Sequence, residues 1–181
     1  SRGLGDVYKR QDALQKALPD IRIDFRLEDG AQHTILNGED VEKEIRTMEV
    51  SRVVSPVAAL PAVRRALVRM QQELGASKGI VMDGRDIGTT VFPDAEMKVF
   101  VKASAATRAQ RRLDELTARG EKATFEEVLE NVEQRDHIDE TREESPLRCA
   151  EDASVLDNSF MTPAQQDEWI MDLYNKTLSS L

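Results

Sequence analysis

Three short apolar runs, Gly79-Ile-Val-Met-Asp83, Lys98-Val-Phe-Val101 and Ser154-Val-Leu-Asp157, are separated by stretches of helical period. Short apolar runs alternating with helices mark a buried parallel sheet, and they narrow the fold class to α/β. Ser104 is placed to N-cap the helix after the second run. Thr162-Pro-Ala-Gln165 forms a capping box with proline at the first helical position. That last helix is expected to bury Ile170, Leu173, Tyr174 and Leu178. Upstream, Val57, Leu60, Val63, Leu67, Met70 and Leu74 recur every three or four residues, which predicts one helix from about Pro56. Gly75 is its expected C-cap.

Before this region the pattern differs. Ile21-Arg-Ile-Asp-Phe-Arg-Leu27 alternates strictly, as a half-buried strand does. Glu28-Asp29-Gly30 and the Ile35-Leu36 pair predict a return strand, and so a small antiparallel hairpin. Asn37-Gly38 then breaks the chain. Residues 1–11 have neither period and are expected to be a tail or a sequence artefact.

Composition excludes several function classes. In 181 residues, 40% hydrophobic content supplies a core, and no apolar run approaches the roughly 18 residues of a membrane span. Mean hydropathy is −0.50. A single cysteine, Cys149, excludes a disulfide framework and fits a reducing cytoplasm. Cys149 has no evident activating partner. His33 and His137 lie far apart, His33 on an expected exposed strand position and His137 on a helix surface, so no metal site is expected. The net charge of −9 lacks the basic footprint of a nucleic-acid binder. Yet the 25 basic residues comprise 17 arginines and 8 lysines. Arginine's planar fork suits bidentate contact with phosphate or carboxylate.

Four constellations could carry chemistry. Asp83-Gly-Arg-Asp-Ile-Gly88 follows a predicted strand, where ligands sit in open parallel sheets. Its glycines are expected to let the backbone turn and approach a ligand. Arg108, Arg111 and Arg112 share one helix face, as solvated surface arginines or as an anion contact. Phe125, Val128, Leu129 and Val132 form an apolar stripe that continues by helical steps into Arg135, Asp139 and Arg142. A charged inward face requires partners, supplied by a bound phosphate or by a structural ion network. The phosphate reading predicts that Arg142→Ala, in a version with the N-terminus restored, loses about ten- to hundredfold in kcat/KM with stability little changed. The network reading predicts the reverse. The fourth, Ser55 as an N-cap with Arg64 on the following helix, says little by itself.

Taken together these segments resemble the bacterial-type cytidylate kinases. The resemblance rests on Leu36-Asn-Gly-Glu-Asp-Val41, Glu44-Ile-Arg-Thr-Met-Glu-Val-Ser51, Val54-Ser-Pro-Val-Ala-Ala59 and Gly79 through Pro93. Arg108-Ala-Gln-Arg-Arg112, Arg135-Asp-His-Ile-Asp139, Ser145-Pro-Leu147 and Leu156-Asp-Asn-Ser159 extend it, from about residue 20 to the C-terminus. The family's opening strand, its Gly-x-x-x-x-Gly-Lys-[Ser/Thr] loop and its Asp-Ser-Gly-x-x-Tyr-Arg segment do not occur in the sequence. The chain is therefore expected to match about the C-terminal four-fifths of such a kinase and to lack turnover alone.

The resemblance implies a P-loop nucleoside monophosphate kinase-like parallel core, residues 55–181, with a lid over 113–145 and a small CMP-binding insert over 12–54. It implies transfer of the γ-phosphoryl group of ATP, carried with Mg2+, to CMP or dCMP. Ser55, Arg64 and Asp86 would face cytosine, Arg135 and Asp139 the sugar, and Arg85 and Arg142 the monophosphate. Arg108 and Arg112 would lie on the ATP side, with Arg135 and Arg142 acting in catalysis. A cytoplasmic monomer with nucleotide partners, neither nucleic acid nor membrane, is the expected setting. The competing expectations are a same-fold kinase for another small acceptor and a non-catalytic nucleotide-binding or interaction module.

Overall fold

The computed structural model describes residues 13, 14 and 16–180. The segment expected to be a tail, 1–11, lies outside them. The chain divides into two compact units, 1–70 and 71–181.

In the first unit, β1 (Ile23–Glu28) and β2 (Ala31–Leu36) form the expected hairpin, and a third strand, β3 (Glu39–Asp40), pairs antiparallel with β2. Both turns are two-residue connections with positive φ throughout: Asp29 and Gly30 at 50° and 79°, Asn37 and Gly38 at 51° and 91°. Asp-Gly and Asn-Gly are the pairs that such turns favour, because their twist matches that of the strands. Asn37-Gly38 thus joins two strands where the sequence suggested only a break.

The expected half-burial of β1 is corrected. The register sets Asp24 opposite the buried Ile35, so Ile23, Phe25 and Leu27 point to the other face. Leu27 is 78% exposed there. His33 shares Ile35's face, is half-buried rather than exposed, and meets Asp40 Oδ2 at 2.7 Å through Nδ1. Beside it Glu42 accepts from the Thr34 N–H and hydroxyl at 3.1 and 2.9 Å and from Arg46 Nε at 2.7 Å. These contacts hold Glu42 and Asp40 below the usual carboxylate range, Glu42 through Arg46 and Asp40 through the Glu42 N–H and then His33.

The long helix expected from Pro56 is two helices, α1 (Met48–Ala58) and α2 (Pro61–Leu74). Thr47 starts α1, its Oγ1 accepting from the Val50 N–H at 3.4 Å. Pro56 inside α1 has no N–H to continue the ladder, and the helix stops two residues later. Pro61 then opens α2, where a missing N–H costs nothing. Ser55 is accordingly not an N-cap; it is buried within α1, its carbonyl accepting from Ala59 N–H at 2.9 Å.

In the second unit, β4 (Val99–Lys102) and β5 (Ser154–Asp157) are parallel, with Val99 opposite Ser154 and Lys102 opposite Asp157. The crossover between them carries α3 (Ala105–Ala118) and α4 (Phe125–Thr141), which pack on one another and bury Ala109, Leu116 and Val128. A parallel pair needs such a crossover. Ser104 caps α3 as expected, accepting from Thr107 N–H at 3.0 Å. Capping boxes at Thr124–Glu127 and Thr162–Gln165 start α4 and α5 (Pro163–Leu178).

Three expectations fail in this unit. Gly79–Asp83 is not a strand: its backbone finds no ladder among the described residues, and Val81 is fully exposed. The helical stripe of α5 forms, but Ile170, Tyr174 and Leu178 stay exposed, because no described element covers them. Gly75 does not adopt a left-handed cap; its bare Cα admits the Phe92 ring, which a Cβ would strike. The α/β class with a parallel sheet stands, with two strands in that sheet among the described residues.

Candidate functional site

The second unit brings one cluster of opposite charges together. The loop 83–88, the start of α3 and the last two turns of α4 supply it. Val128 is fully buried, and the same helix face continues to Asp139, whose side chain is almost wholly buried. Charge replaces apolar surface there, and every charged group has an opposite neighbour.

The neighbours form an alternating series. Arg108 donates through both terminal nitrogens to Asp136, at 3.0 Å to Oδ1 and 2.6 Å to Oδ2, while its Nε donates to the Ala103 carbonyl at 3.1 Å. Asp136 Oδ1 also accepts from Arg85 at 2.9 Å. Arg85 Nε lies 3.3 Å from Asp139 Oδ2, and Asp139 Oδ1 accepts from Arg142 at 3.1 Å. A terminal nitrogen of Arg142 lies 3.7 Å from Asp86 Oδ1. The order is Arg108, Asp136, Arg85, Asp139, Arg142, Asp86.

The backbone around α4's end fixes this geometry. Arg142 is the C-cap residue, its N–H donating to Ile138 at 2.9 Å. Ser145 takes a left-handed φ of 51°, which aims its carbonyl at Arg142 Nε, 2.8 Å away. Leu147 N–H then returns to the Asp139 carbonyl at 2.7 Å. The Ser145-Pro-Leu147 segment therefore clamps the two residues that the stripe delivers. On the other side, the Asp86 carbonyl anchors a wide turn over Ile87–Val91, accepting from Thr90 N–H at 2.9 Å. Neither Gly84 nor Gly88 takes a left-handed φ; at Gly84 the absent Cβ leaves room for the Ile87 side chain.

Arg135 adjoins this series. Burial, and then the charge of Arg85, hold its guanidinium below the usual arginine range, while Asp139 pulls the other way. For Asp136, burial pushes the carboxyl up, but the bonds from Arg108 and Arg85 outweigh it and hold it low. Arg85, Arg108, Arg135 and Arg142 against Asp86, Asp136 and Asp139 leave one positive charge in excess. Arginine's planar fork has the geometry to contact an anion.

Of the expected site residues, Arg85, Asp86, Arg108, Arg135, Asp139 and Arg142 meet in this cluster. Arg112 is turned to Glu115 at 3.0 Å, though its charge still reaches Arg135. Ser55 and Arg64 are buried in the first unit. Sequence reasoning missed Asp136 and the role of Arg111, which donates to Asn158 Oδ1 at 2.9 Å and to its carbonyl at 2.6 Å, holding the loop after β5. A four-residue step from Val132 reaches Asp136 as readily as a three-residue step reaches Arg135, so that signal was available. Among the described residues no group of three His, Cys, Asp or Glu side chains is placed to hold a metal ion.

The cytidylate kinase family profile matches residues 8–176. The chain belongs to the cytidylate kinase family. It is 61% identical over 171 residues to the cytidylate kinase of Bacteroides fragilis, covering 93% of this chain and 75% of that protein. To the cytidylate kinase of Parabacteroides distasonis it is 61% identical over 173 residues, 94% of this chain and 76% of the relative. With that of Flavobacterium johnsoniae the identity is 51% over 174 residues, 95% and 76% of the two chains. The charged cluster falls within the family match, and so do Ser55 and Arg64.

Proposed function

We propose that this chain serves in transfer of the γ-phosphoryl group of ATP to CMP or dCMP, giving CDP or dCDP. Family membership supports the reaction. The observation that carries the site is the alternating cluster with its excess positive charge, ending at a buried Asp86.

Cytosine presents acceptors at O2 and N3 and a donor at N4, and uracil reverses the last two. A carboxylate at Asp86 accepts from the cytosine amine and repels the uracil oxygen, which is how a hydrogen-bonding site discriminates between near-isosteres. Ser55 and Arg64 are assigned as donors to O2 and N3 on the resemblance alone. Arg135 and Asp139 are assigned to the sugar hydroxyls, and Arg85 and Arg142 to the monophosphate. Arg108 and Arg112 are assigned to the ATP side. Phosphoryl transfer needs positioning and charge stabilisation more than covalent help, so guanidiniums fixed by carboxylates suit it. Magnesium belongs to the substrate here, carried on ATP, since it keeps waters and binds through phosphates and one or two carboxylates.

The finer architecture follows the same reading: a P-loop kinase-like core over 55–181, a CMP-binding insert over 12–54 and a lid over 113–145. The net charge of −9 favours small nucleotides over nucleic acid as partners. Among the described residues no helix is long and apolar enough to cross a membrane. A cytoplasmic monomer completes the proposal.

Calorimetric titration of the chain with CMP, UMP and AMP tests the base assignment. CMP is expected to bind at least about tenfold more tightly than either competitor. Equal affinities, or no heat with CMP, would overturn it.

A further inference from the structure

Asp136 has no role in the assignment above, yet it has three of the cluster's shortest contacts. Its carboxylate takes both terminal nitrogens of Arg108 at 2.6 and 3.0 Å, and one of Arg85 at 2.9 Å. The side chain is only 19% exposed. One acid on α4 thus ties an arginine of the loop 83–88 to an arginine of α3.

That geometry fixes directions as well as charges. Two parallel bonds to a carboxylate orient a guanidinium in its plane. The third bond, from Arg108 Nε to Ala103, removes the remaining rotation of that fork. Arg85 is held by two carboxylates in succession, Asp136 through a terminal nitrogen and Asp139 through Nε. Each guanidinium has five N–H groups, and these contacts use three on Arg108 and two on Arg85. The remainder are available to a phosphate without releasing Asp136.

Charge balance makes the acid necessary. Arg85 already repels Arg135 enough to help lower its proton affinity. Without Asp136, Arg85 would keep Asp139 at 3.3 Å and Arg108 the Ala103 carbonyl at 3.1 Å. Arg85 and Arg108 sit at half-exposed positions and would move toward water.

We infer that Asp136 is a positioning residue for the acceptor phosphate, acting through Arg85 and setting it in register with Arg108. The inference rests on the reading that Arg85 meets the CMP phosphate. It predicts that the benefit of Asp136 is confined to ligands that carry that phosphate.

Titration of the chain and its Asp136→Ala variant with CMP and with cytidine tests this. Asp136→Ala is expected to weaken CMP about tenfold and to leave cytidine unchanged. In an Arg85→Ala background, Asp136→Ala should add little further loss, because it acts through that arginine. Equal loss for CMP and cytidine, or no loss for either, would overturn the inference in favour of a scaffold role. Additive losses with Arg85→Ala would overturn it too. If the alanine variant does not fold by circular dichroism, Asp136→Asn keeps the volume and one acceptor. It should show a smaller loss, about threefold, again confined to CMP. No CMP binding by the unmodified chain would overturn the CMP reading itself, and the inference with it.

Discussion

Arg142→Ala separates the two readings of the arginine stripe, and the structure changes what it should do. The Arg142 side chain is 2% exposed and donates to the Ser145 carbonyl at 2.8 Å and to Asp139 at 3.1 Å, with Asp86 at 3.7 Å. Breaking a buried charge pair by removing one partner costs about 3–5 kcal/mol, because the other charge is left in a dry site. Asp139 keeps Arg85 at 3.3 Å, which places the cost near the lower end, about 3 kcal/mol. For a chain of this length each kcal/mol is worth about 2–4 °C, so the melting temperature should fall by about 6–12 °C. If Arg142 also meets the phosphate, CMP affinity should fall by about ten- to hundredfold. Stability and binding then drop together, where the sequence alone set them as alternatives. Arg142→Lys should recover only part of either, since one ammonium cannot reproduce a fork that spans Ser145 and Asp139. Thermal unfolding by circular dichroism without ligand, followed by CMP titration, gives both numbers. A melting temperature within about 1 °C of the unmodified chain would refute the reasoning about the buried network.

Other outcomes follow from single contacts. Asp86→Asn should narrow the preference for CMP over UMP, since the amide can donate to uracil O4; an unchanged ratio by titration would remove Asp86 from base reading. Thr124→Ala, which breaks the capping box of α4, should cost about 1 kcal/mol in urea unfolding. Asp136 contributes stability above the unfolded aspartate value of about 3.9, because its folded value is lower, and loses that contribution as pH falls through the folded value. The melting-temperature gap between the chain and Asp136→Asn should therefore close as pH falls below about 3.9.

The sequence disclosed what is local and periodic. The hairpin turn at Asp29-Gly30, the caps at Ser104 and Thr162, and the stripe from Val128 to Arg142 are all set by residues within a few positions of one another. The failures share a different cause. Whether Gly79–Asp83 is a strand depends on a ladder partner remote in sequence, and an apolar run carries no record of that partner. The face that β1 buries depends on which side of a three-stranded sheet is covered, and Ile23, Phe25 and Leu27 alternate identically in either case. Gly75 suggests a cap because glycine ends helices, but its reason is the Phe92 ring arriving from 17 residues along the chain. Asp136 is hard to see in the sequence because charge clusters are recognised by their arginines, while the acid that aligns them looks like any surface aspartate.

Arg135 shows what this cluster gives up for an anion. Its guanidinium is destabilised by burial and by repulsion from Arg85 and Arg112, and Asp139 only partly offsets these. A base whose proton affinity is lowered on folding opposes folding at every pH below its unfolded value, hence throughout the working range. Arg135 is half-buried, so an apolar chain of similar length in its place removes the cost of holding that charge away from water. Arg135→Met should therefore raise the ligand-free melting temperature. The bound ligand reverses the balance. At about one hundred times its dissociation constant CMP should stabilise the unmodified chain by about 2.7 kcal/mol, and Arg135→Met should lose most of that shift at the same concentration. Stabilisation gained with binding lost is the signature of a functional cation kept at the expense of the fold. Thermal shift measurements on the two proteins, with and without CMP, decide the matter. A lower ligand-free melting temperature in Arg135→Met would mean that the carboxylates already compensate this charge and that no anion is required.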